Sequence, residues 1–434
     1  MHDWQLVRLD DVADIRISNV DKKSFASERP VRLCNYMDVY GNDYIDCRIA
    51  FMEATASQAE IERFKVQSGD VLITKDSETP DDIGIPAVVM EDVQGLVAGY
   101  HLALIRPRRD RVDPVYLAKQ LSAEQAVRHY SRRAAGSTRY GLSTSTIAST
   151  PILVPSIPVQ RRIAEILSTL DITIEKAASL IEKLTSMRVG LTDDLFTRGL
   201  AGNGTMRLER QLAPRLYTQS TLGSLPNDWQ IRSIDTVAHS LVDGPFGSNL
   251  KSEHYVDEPG VRVVRLQNVG SGTYSDSDKA FVSQRHAAYL SRHEVLPGDV
   301  LVAGLGDEAR PVGRACCYPA ELPPAINKAD CFRLRCEASQ ALNPYVMLFL
   351  NTPRARHQVL RYEQGVTRLR INLGNLRRIQ IPLPSLQEQQ MVIDRVAAAT
   401  ADIDAAIAQH SKALATKQGL GADLLSGRVT VAGC

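Results

Sequence analysis

The spacing of apolar positions divides this chain into two kinds of segment. After Pro158, the residues Ile163, Ile166, Leu170, Ala177, Leu180, Leu184, Met187 and Leu191 recur at steps of three and four, with Thr173 a polar gap. No proline or glycine interrupts residues 159–189, so the pattern predicts one long helix. Near the other end of the chain Val396, Ala399, Ile403, Ala406, Ala413, Leu420 and Leu424 keep the same rhythm, with His410 and Lys417 on or beside the seam. Each helix would run for about 35 residues, roughly 50 Å, against a usual mean of about 11–12 residues. Two such helices with one apolar seam apiece are expected to pair as an antiparallel coiled coil, and alanines on the second seam allow close approach. Separate packing of each helix on its own module is the alternative.

Elsewhere the period shortens. Short β-like runs lie at 31–34, 71–74, 87–90, 261–264 and 300–303, punctuated by Gly41-Asn42, Ser68-Gly69, Gly260 and Pro297-Gly298. Helical stretches lie near 114–130 and 343–360. This mixture predicts α/β modules. Residues 201–225 lack periodicity, carry Gly, Pro and Ser, and read as a linker.

The two kinds of segment occur twice. DWQLVRLDDVA at 3–13 is echoed by DWQIRSIDTVA at 228–238, and each echo opens on one of only two tryptophans. At offsets of about 225 to 229, SGDVL (68–72) matches PGDVL (297–301), and Gly136-Ser-Thr-Arg139 matches Gly365-Val-Thr-Arg368. Pro155-Ser156 with Gln160 matches Pro384-Ser385 with Gln389, and Lys183, Gly190 and Asp194 match Lys412, Gly419 and Asp423. Residues 14–60 and 239–290 share little. The period is too long for a solenoid, so the chain is two copies of a compound unit with a kept frame and divergent interiors.

Length and composition fit this picture. A chain of 434 residues exceeds one ordinary core. It has no apolar run long enough for a membrane span, and its acidic start is unlike a signal peptide, so a cytoplasmic location is expected. The seven cysteines suggest no disulfide framework. Cys316, Cys317, Cys331 and Cys336 lack the paired spacing of zinc knuckles and are expected to be buried reduced thiols. Net charge is only +1, yet residues 354–378 hold seven arginines against the single acid Glu363, and 128–139 hold four with no acid. Such stretches can form a local surface for phosphates, or an ordinary solvated face.

No P-loop, strand-associated Gly-x-Gly-x-x-Gly, adenine-methyltransferase Asn-Pro-Pro-aromatic motif, clustered nuclease carboxylates or histidine metal spacing is present. No catalytic residue and no metal site are therefore expected in this chain.

Two divergent modules, each opening with W-x-x-x-x-I/L-x-x-V-A and followed by P-S-x-x-x-Q and a long helix, resemble the specificity subunit of bacterial type I restriction-modification systems. The run Asp243-Gly-Pro-Phe-Gly-Ser-Asn-Leu-Lys251 with Tyr255 is similar to the start of a target recognition domain there, and IPLPSLQEQ at 381–389 is also familiar from that family. The resemblance implies an α/β fold: two target recognition domains, 1–153 and 226–382, and two long antiparallel helices, within 154–200 and 383–428, forming a coiled coil with a pseudo-two-fold repeat, with 201–225 as the linker. It implies a DNA-reading subunit without an active site, each domain contacting half of a split, asymmetric double-stranded target and the helices setting the spacer. It further implies two methyltransferase subunits docked on the helices and two translocase-nuclease subunits. S-adenosylmethionine, and ATP with Mg, would belong to those partners, leaving no cofactor here and no membrane contact. A non-catalytic coiled-coil scaffold that reads no DNA is the competing interpretation.

Arg and Lys suit guanine and phosphate, and Asn and Gln suit adenine. On that chemistry the candidate DNA contacts are Lys22, Lys23, Lys75, Arg132, Arg133, Arg139 and Tyr140 in the first module. In the second they are Ser248, Asn249, Lys251, Arg265, Gln267, Asn268, Arg368 and Arg370. The candidate coiled-coil and partner-interface residues are Ile163, Ile166, Leu170, Leu180, Leu184, Met187, Leu191, Val396, Ile403, Leu420 and Leu424.

Overall fold

A computed structural model of the chain describes residues 4–365 and 369–431. The chain forms two compact units. Unit 1 comprises Met1–Ser179 and Ile407–Cys434, and unit 2 comprises Leu180–Ala406. Each contains one mixed α/β module and about half of each long helix.

In unit 1 a five-stranded sheet runs in the order Ala13–Ile17, Leu102–Pro107, Val71–Thr74, Pro86–Val89, Tyr44–Ile45, antiparallel except for the last pair. The Val71–Thr74 strand is buried throughout, which is why its first three residues are all apolar and do not alternate. A second sheet joins Met52–Ala56, Arg29–Cys34 and Leu96–Ala98. In unit 2 a four-stranded sheet runs Ala238–Val242, Cys331–Cys336, Val300–Ala303, Ala315–Cys317 beside a separate five-stranded one. The predicted helical stretches each break in two. The first becomes Pro114–Leu121 and Glu124–Arg133, and the second Asn343–Leu350 and Pro353–Leu360. In the second, Thr352 caps the new helix by accepting from the Ala355 N–H, and Pro353 fits its first turn.

The repeated sequence marks repeated joints. Gln5–Arg8 pairs with Pro151–Val154, and Gln230–Ser233 pairs with Gln380–Leu383. The Gln160 carboxamide accepts from the Asp113 N–H and donates to the carbonyls of Arg111 and Pro155. Gln389 accepts from the Leu342 N–H and donates to the carbonyls of Gln340 and Pro384. The turn aspartate of each Gly-Asp-Val-Leu element is buried and takes a two-pronged arginine pair, Arg106 on Asp70 and Arg335 on Asp299. Trp4 and Trp229 both pack on a glycine just past a long helix. A Cβ on Gly199 (φ 63°) would sit 2.3 Å from the Trp229 ring, and one on Gly427 (φ 72°) 3.2 Å from that of Trp4.

Residues 201–225, expected as the linker, are tied down. The strands Tyr217–Ser220 and Gly223–Pro226 form a hairpin. Arg207 bridges Asp228 and the buried Glu388, and Glu388 also accepts from the Leu200 N–H and from Trp229 Nε1. Contacts to residues so distant in sequence leave no local period.

The helices Ile157–Leu195 and Leu386–Leu425 run antiparallel within each unit. In unit 1 Ile163 and Leu167 share a core with Leu424 and Leu425, and in unit 2 Leu195 joins Val392 and Val396. The shielded row of the first helix is 163, 167, 170, 174, 177, 181, 184, 188, 191, 195, a strict four-three alternation. This corrects two seam residues. Leu180 (45 % exposed) and Met187 (58 %) face outward, whereas Ile166 is half-buried against the cluster that holds Leu424 and Leu425. The neighbours of the first two, Ile181 and Arg188, take the seam, because each pair is adjacent and one residue turns the helix by about 100°. Ile163, Leu170, Leu184 and Leu191 are shielded as part of that row. On the second helix Val396, Ile403 and Leu424 are buried and Leu420 is half-buried. Lys417, on its seam, pairs with Asp171, which also takes Lys119 and the Tyr44 hydroxyl.

Cys34, Cys316, Cys331 and Cys336 are buried free thiols, and burial pushes those of Cys316 and Cys336 up to about 12. Among the described residues no helix is long and apolar enough to cross a membrane.

Candidate nucleic-acid interface

Each module builds one polar face by the same construction. The buried Gly-Asp-Val-Leu strand ends, the chain makes a two-residue strand, and that strand pairs with the loop that follows the paired short helices. In unit 1 Asp76–Ser77 pairs antiparallel with Tyr140–Gly141, and in unit 2 Leu305–Gly306 pairs with Leu369–Arg370. A second crossing frames the face. The Gly99 N–H donates to the Cys34 carbonyl, and the Lys328 N–H to that of Val264. Just beyond it the Asn35 N–H donates to the Asp38 carboxylate, and the Arg265 N–H to the Asn268 carboxamide.

On this frame unit 1 carries a Lys75–Asp76–His101 cluster. Lys75 Nζ donates to Asp76 Oδ2 at 3.1 Å, and His101 Nδ1 lies 2.8 Å from the same oxygen. The ammonium also sits 4.4 Å from the centroid of the half-exposed Tyr100 ring, a cation–π contact that leaves the Lys75 side chain only 11 % exposed. A cleft of about 270 Å³ opens beside it, lined by Lys22, Asn35, Tyr36, Tyr100 and His101. Lys22, Lys23 and Arg139 are exposed and Tyr140 is half-exposed. Arg132 and Arg133 do not line the cleft. They line a separate depression on their helix with Arg128 and His129.

Unit 2 carries a different set. Arg370 Nη2 lies 2.7 Å from Asp330 Oδ1. The Asp330 N–H donates to Asp243 Oδ1 at 3.0 Å, as does Gly244 N–H at 2.7 Å, and His293 Nδ1 contacts the Asp243 carbonyl. Burial pushes the Asp243 carboxyl up to about 6, an effect to which the Asp330 charge adds and which the two N–H donors oppose. Gly244 is required here because a Cβ would fall 1.9 Å from the Lys328 backbone. The loop so anchored presents Ser248, Asn249 and Lys251, all exposed. His286 and His254, stacked at 4.1 Å, hold its far end: His286 Nε2 lies 2.8 Å from the Asn249 carbonyl, and the Lys251 N–H donates to His254 Nδ1.

One expected contact in unit 2 is committed to structure instead. Asn268 is fully buried, accepting from the Arg265 N–H and donating to the carbonyls of Ser275 and Asp278, so no group is left for a base edge. Arg265 is held in an ion pair with Asp278. Gln267 remains exposed, in a depression shared with Asp307 and Arg310. Arg368 lies outside the described residues.

Sequence reasoning missed Asp76, Tyr100, His101, Asp243 and Asp330 on these faces. It also missed Arg314, whose buried guanidinium ties together the carbonyls of Leu266, Val269, Leu305 and Arg310 under the depression, and whose burial lowers its pKa. Positions 101 and 330 stand at the repeat offset, each directly before the strand next to the Gly-Asp-Val-Leu strand. That alignment was the available signal.

Comparisons with known proteins agree with the repeated frame. The chain is 22 % identical to the type I restriction enzyme MjaVIII specificity subunit of Methanocaldococcus jannaschii over 398 residues, 91 % of this chain and 85 % of that one. The crystal structure of a type I restriction-modification S subunit from M. genitalium shares the fold at a TM-score of 0.56, with 14 % identity and 98 % and 96 % of the two chains covered. A chain from a structural study of complex assembly and conformational transition in the type I system aligns at 0.57, with 16 % identity and 98 % of both chains covered. The model of the type I restriction modification DNA specificity domain matches twice, over residues 1–186 and 226–411. The two matches fall on the two copies of the compound unit, and the chain belongs to the family of type I restriction-modification DNA specificity subunits.

Proposed function

We propose that each unit reads one half of a bipartite, asymmetric DNA target and that this chain supplies recognition without a catalytic group of its own. The observation that carries the reading is one frame bearing two unlike faces, Lys75–Asp76–His101 with Tyr100 in one unit and Asp330–Arg370 in the other. A scaffold that only held proteins together would have no use for different polar sets at equivalent positions. Unlike faces suit unlike half-sites, which are distinguished by donor and acceptor patterns in the major groove. Two methyltransferase subunits would dock on the helical segments, and two translocase-nuclease subunits would complete a restriction complex. S-adenosylmethionine, and ATP with Mg, would be held by those partners, and the methylated adenine would be flipped into the methyltransferase.

Co-expression with a methyltransferase subunit of the same system, followed by mapping of methylated adenines, tests this. A split motif with two unlike halves is expected. A palindromic motif, or purified complex that modifies no specific sequence, would overturn it.

A further inference from the structure

Asp330 stands out by backbone conformation. Among the described residues it is the one non-glycine residue with positive φ, at 64°. Such a conformation is uncommon outside glycine, is tolerated best by Asn and Asp, and persists where surrounding contacts fix it. Here they do. The Asp330 N–H is spent on Asp243 Oδ1, its carbonyl accepts from the Gly304 N–H, and the next residue begins the buried strand Cys331–Cys336. The left-handed turn aims the carboxylate at Arg370, with Nη2 and Oδ1 2.7 Å apart as an ion pair.

Arg370 is itself held at its backbone, which pairs with Leu305 and exchanges two hydrogen bonds with Gln364. Its side chain remains 50 % exposed, and one terminal nitrogen lies at ion-pair distance from Asp330 Oδ1. A half-exposed guanidinium placed by an opposite charge can present its planar fork to the two acceptors of guanine, O6 and N7. The position of unit 1 that corresponds to Asp330 is His101, which faces Asp76.

We propose that Asp330 is a positioning residue for base reading by unit 2: its carboxylate sets the Arg370 guanidinium so that its planar fork meets a guanine in one half of the DNA target. This rests on the DNA-reading function proposed above.

The test uses the full chain co-expressed with its methyltransferase and maps adenine methylation for the parent, three variants and a fourth, Arg370→Lys, as a control. If the parent yields no split motif, the function reading fails before the variants are compared. Given a split motif, Arg370→Ala and Asp330→Asn should each relax the same single G·C pair in one half, with modification of sites substituted there rising at least tenfold relative to cognate sites. The other half should stay unchanged. Asp330→Gly keeps the left-handed backbone and lacks the carboxylate, so it should relax the same pair. Full discrimination in Asp330→Gly would assign the role to backbone shape and overturn the proposal. So would an unchanged motif in all three, or relaxation by Arg370→Ala alone. Arg370→Lys covers the case of inactive variants: it keeps the charge without the fork and should retain modification while relaxing the pair. Loss of all modification in every variant, this one included, would make the pair a matter of binding and not of reading.

Discussion

Asp243 shows how one side chain can serve the recognition face at a cost to the fold. Its carboxyl is pushed up to about 6 by burial, while an unfolded aspartate titrates near 3.9. Between those values the folded chain holds a proton that the unfolded chain has released, so stability falls as pH rises through this window and stays reduced above it. Asp243→Asn keeps an acceptor oxygen for the N–H groups of Gly244 and Asp330 and removes the charge. It should be more stable than the parent above pH 6, by about 1 kcal/mol after discounting for partial exposure, and no more stable near pH 4. Urea midpoints at the two pH values check this, and an equal difference at both would refute it. At this scale the sequence was read unevenly. Lys22, Asn249 and Arg370 stand exposed on the two faces, because cations and amides beside turns are visible as composition, whereas Lys75 is mostly covered by Asp76 and Tyr100. Asp70 and Asp299 were seen only as part of a turn motif, since their arginines lie 36 residues further along. Asn268 was misread because a buried amide bonding carbonyls has the same letter as one that bonds adenine.

The long helices were the most legible elements, since a four-three period over many turns is hard to produce otherwise. Their existence and pairing follow from it, but the phase of the first seam does not. Adjacent apolar residues at 166/167 and 180/181 offer two phases, and Met187 beside Arg188 favours the wrong one on hydropathy alone. Burial makes the distinction measurable. Leu167 is 2 % exposed, and Leu167→Ala should cost about 2–4 kcal/mol. Leu180 is 45 % exposed, and Leu180→Ala should stay within about 0.5 kcal/mol of the parent. Comparable losses for the two in denaturant unfolding would restore the rejected phase. Helix breaks inside the modules were missed where the turn is made by one capping side chain, as at Thr352.

For the molecule as a whole, the repeat was the decisive signal, and the two polar faces differ at equivalent positions of its shared frame. If the units read separate halves, disturbing one face should leave the other half of the motif intact. The double substitution Lys75→Ala with His101→Ala should therefore relax only the half that Arg370→Ala spares. Methylation mapping of this variant decides the matter, and relaxation in both halves would refute independent reading. The joints beneath the faces carry a further consequence. Gln160 and Gln389 each fasten a module to its helix through three hydrogen bonds, and all six partners are main-chain groups. A socket of that kind is blind to the side chains plugged into it. A recombination event that exchanged a whole module between related genes, with its crossover points inside the repeated ends, would inherit a working joint. New specificities could then arise by shuffling, without waiting for compensating mutations in the helices.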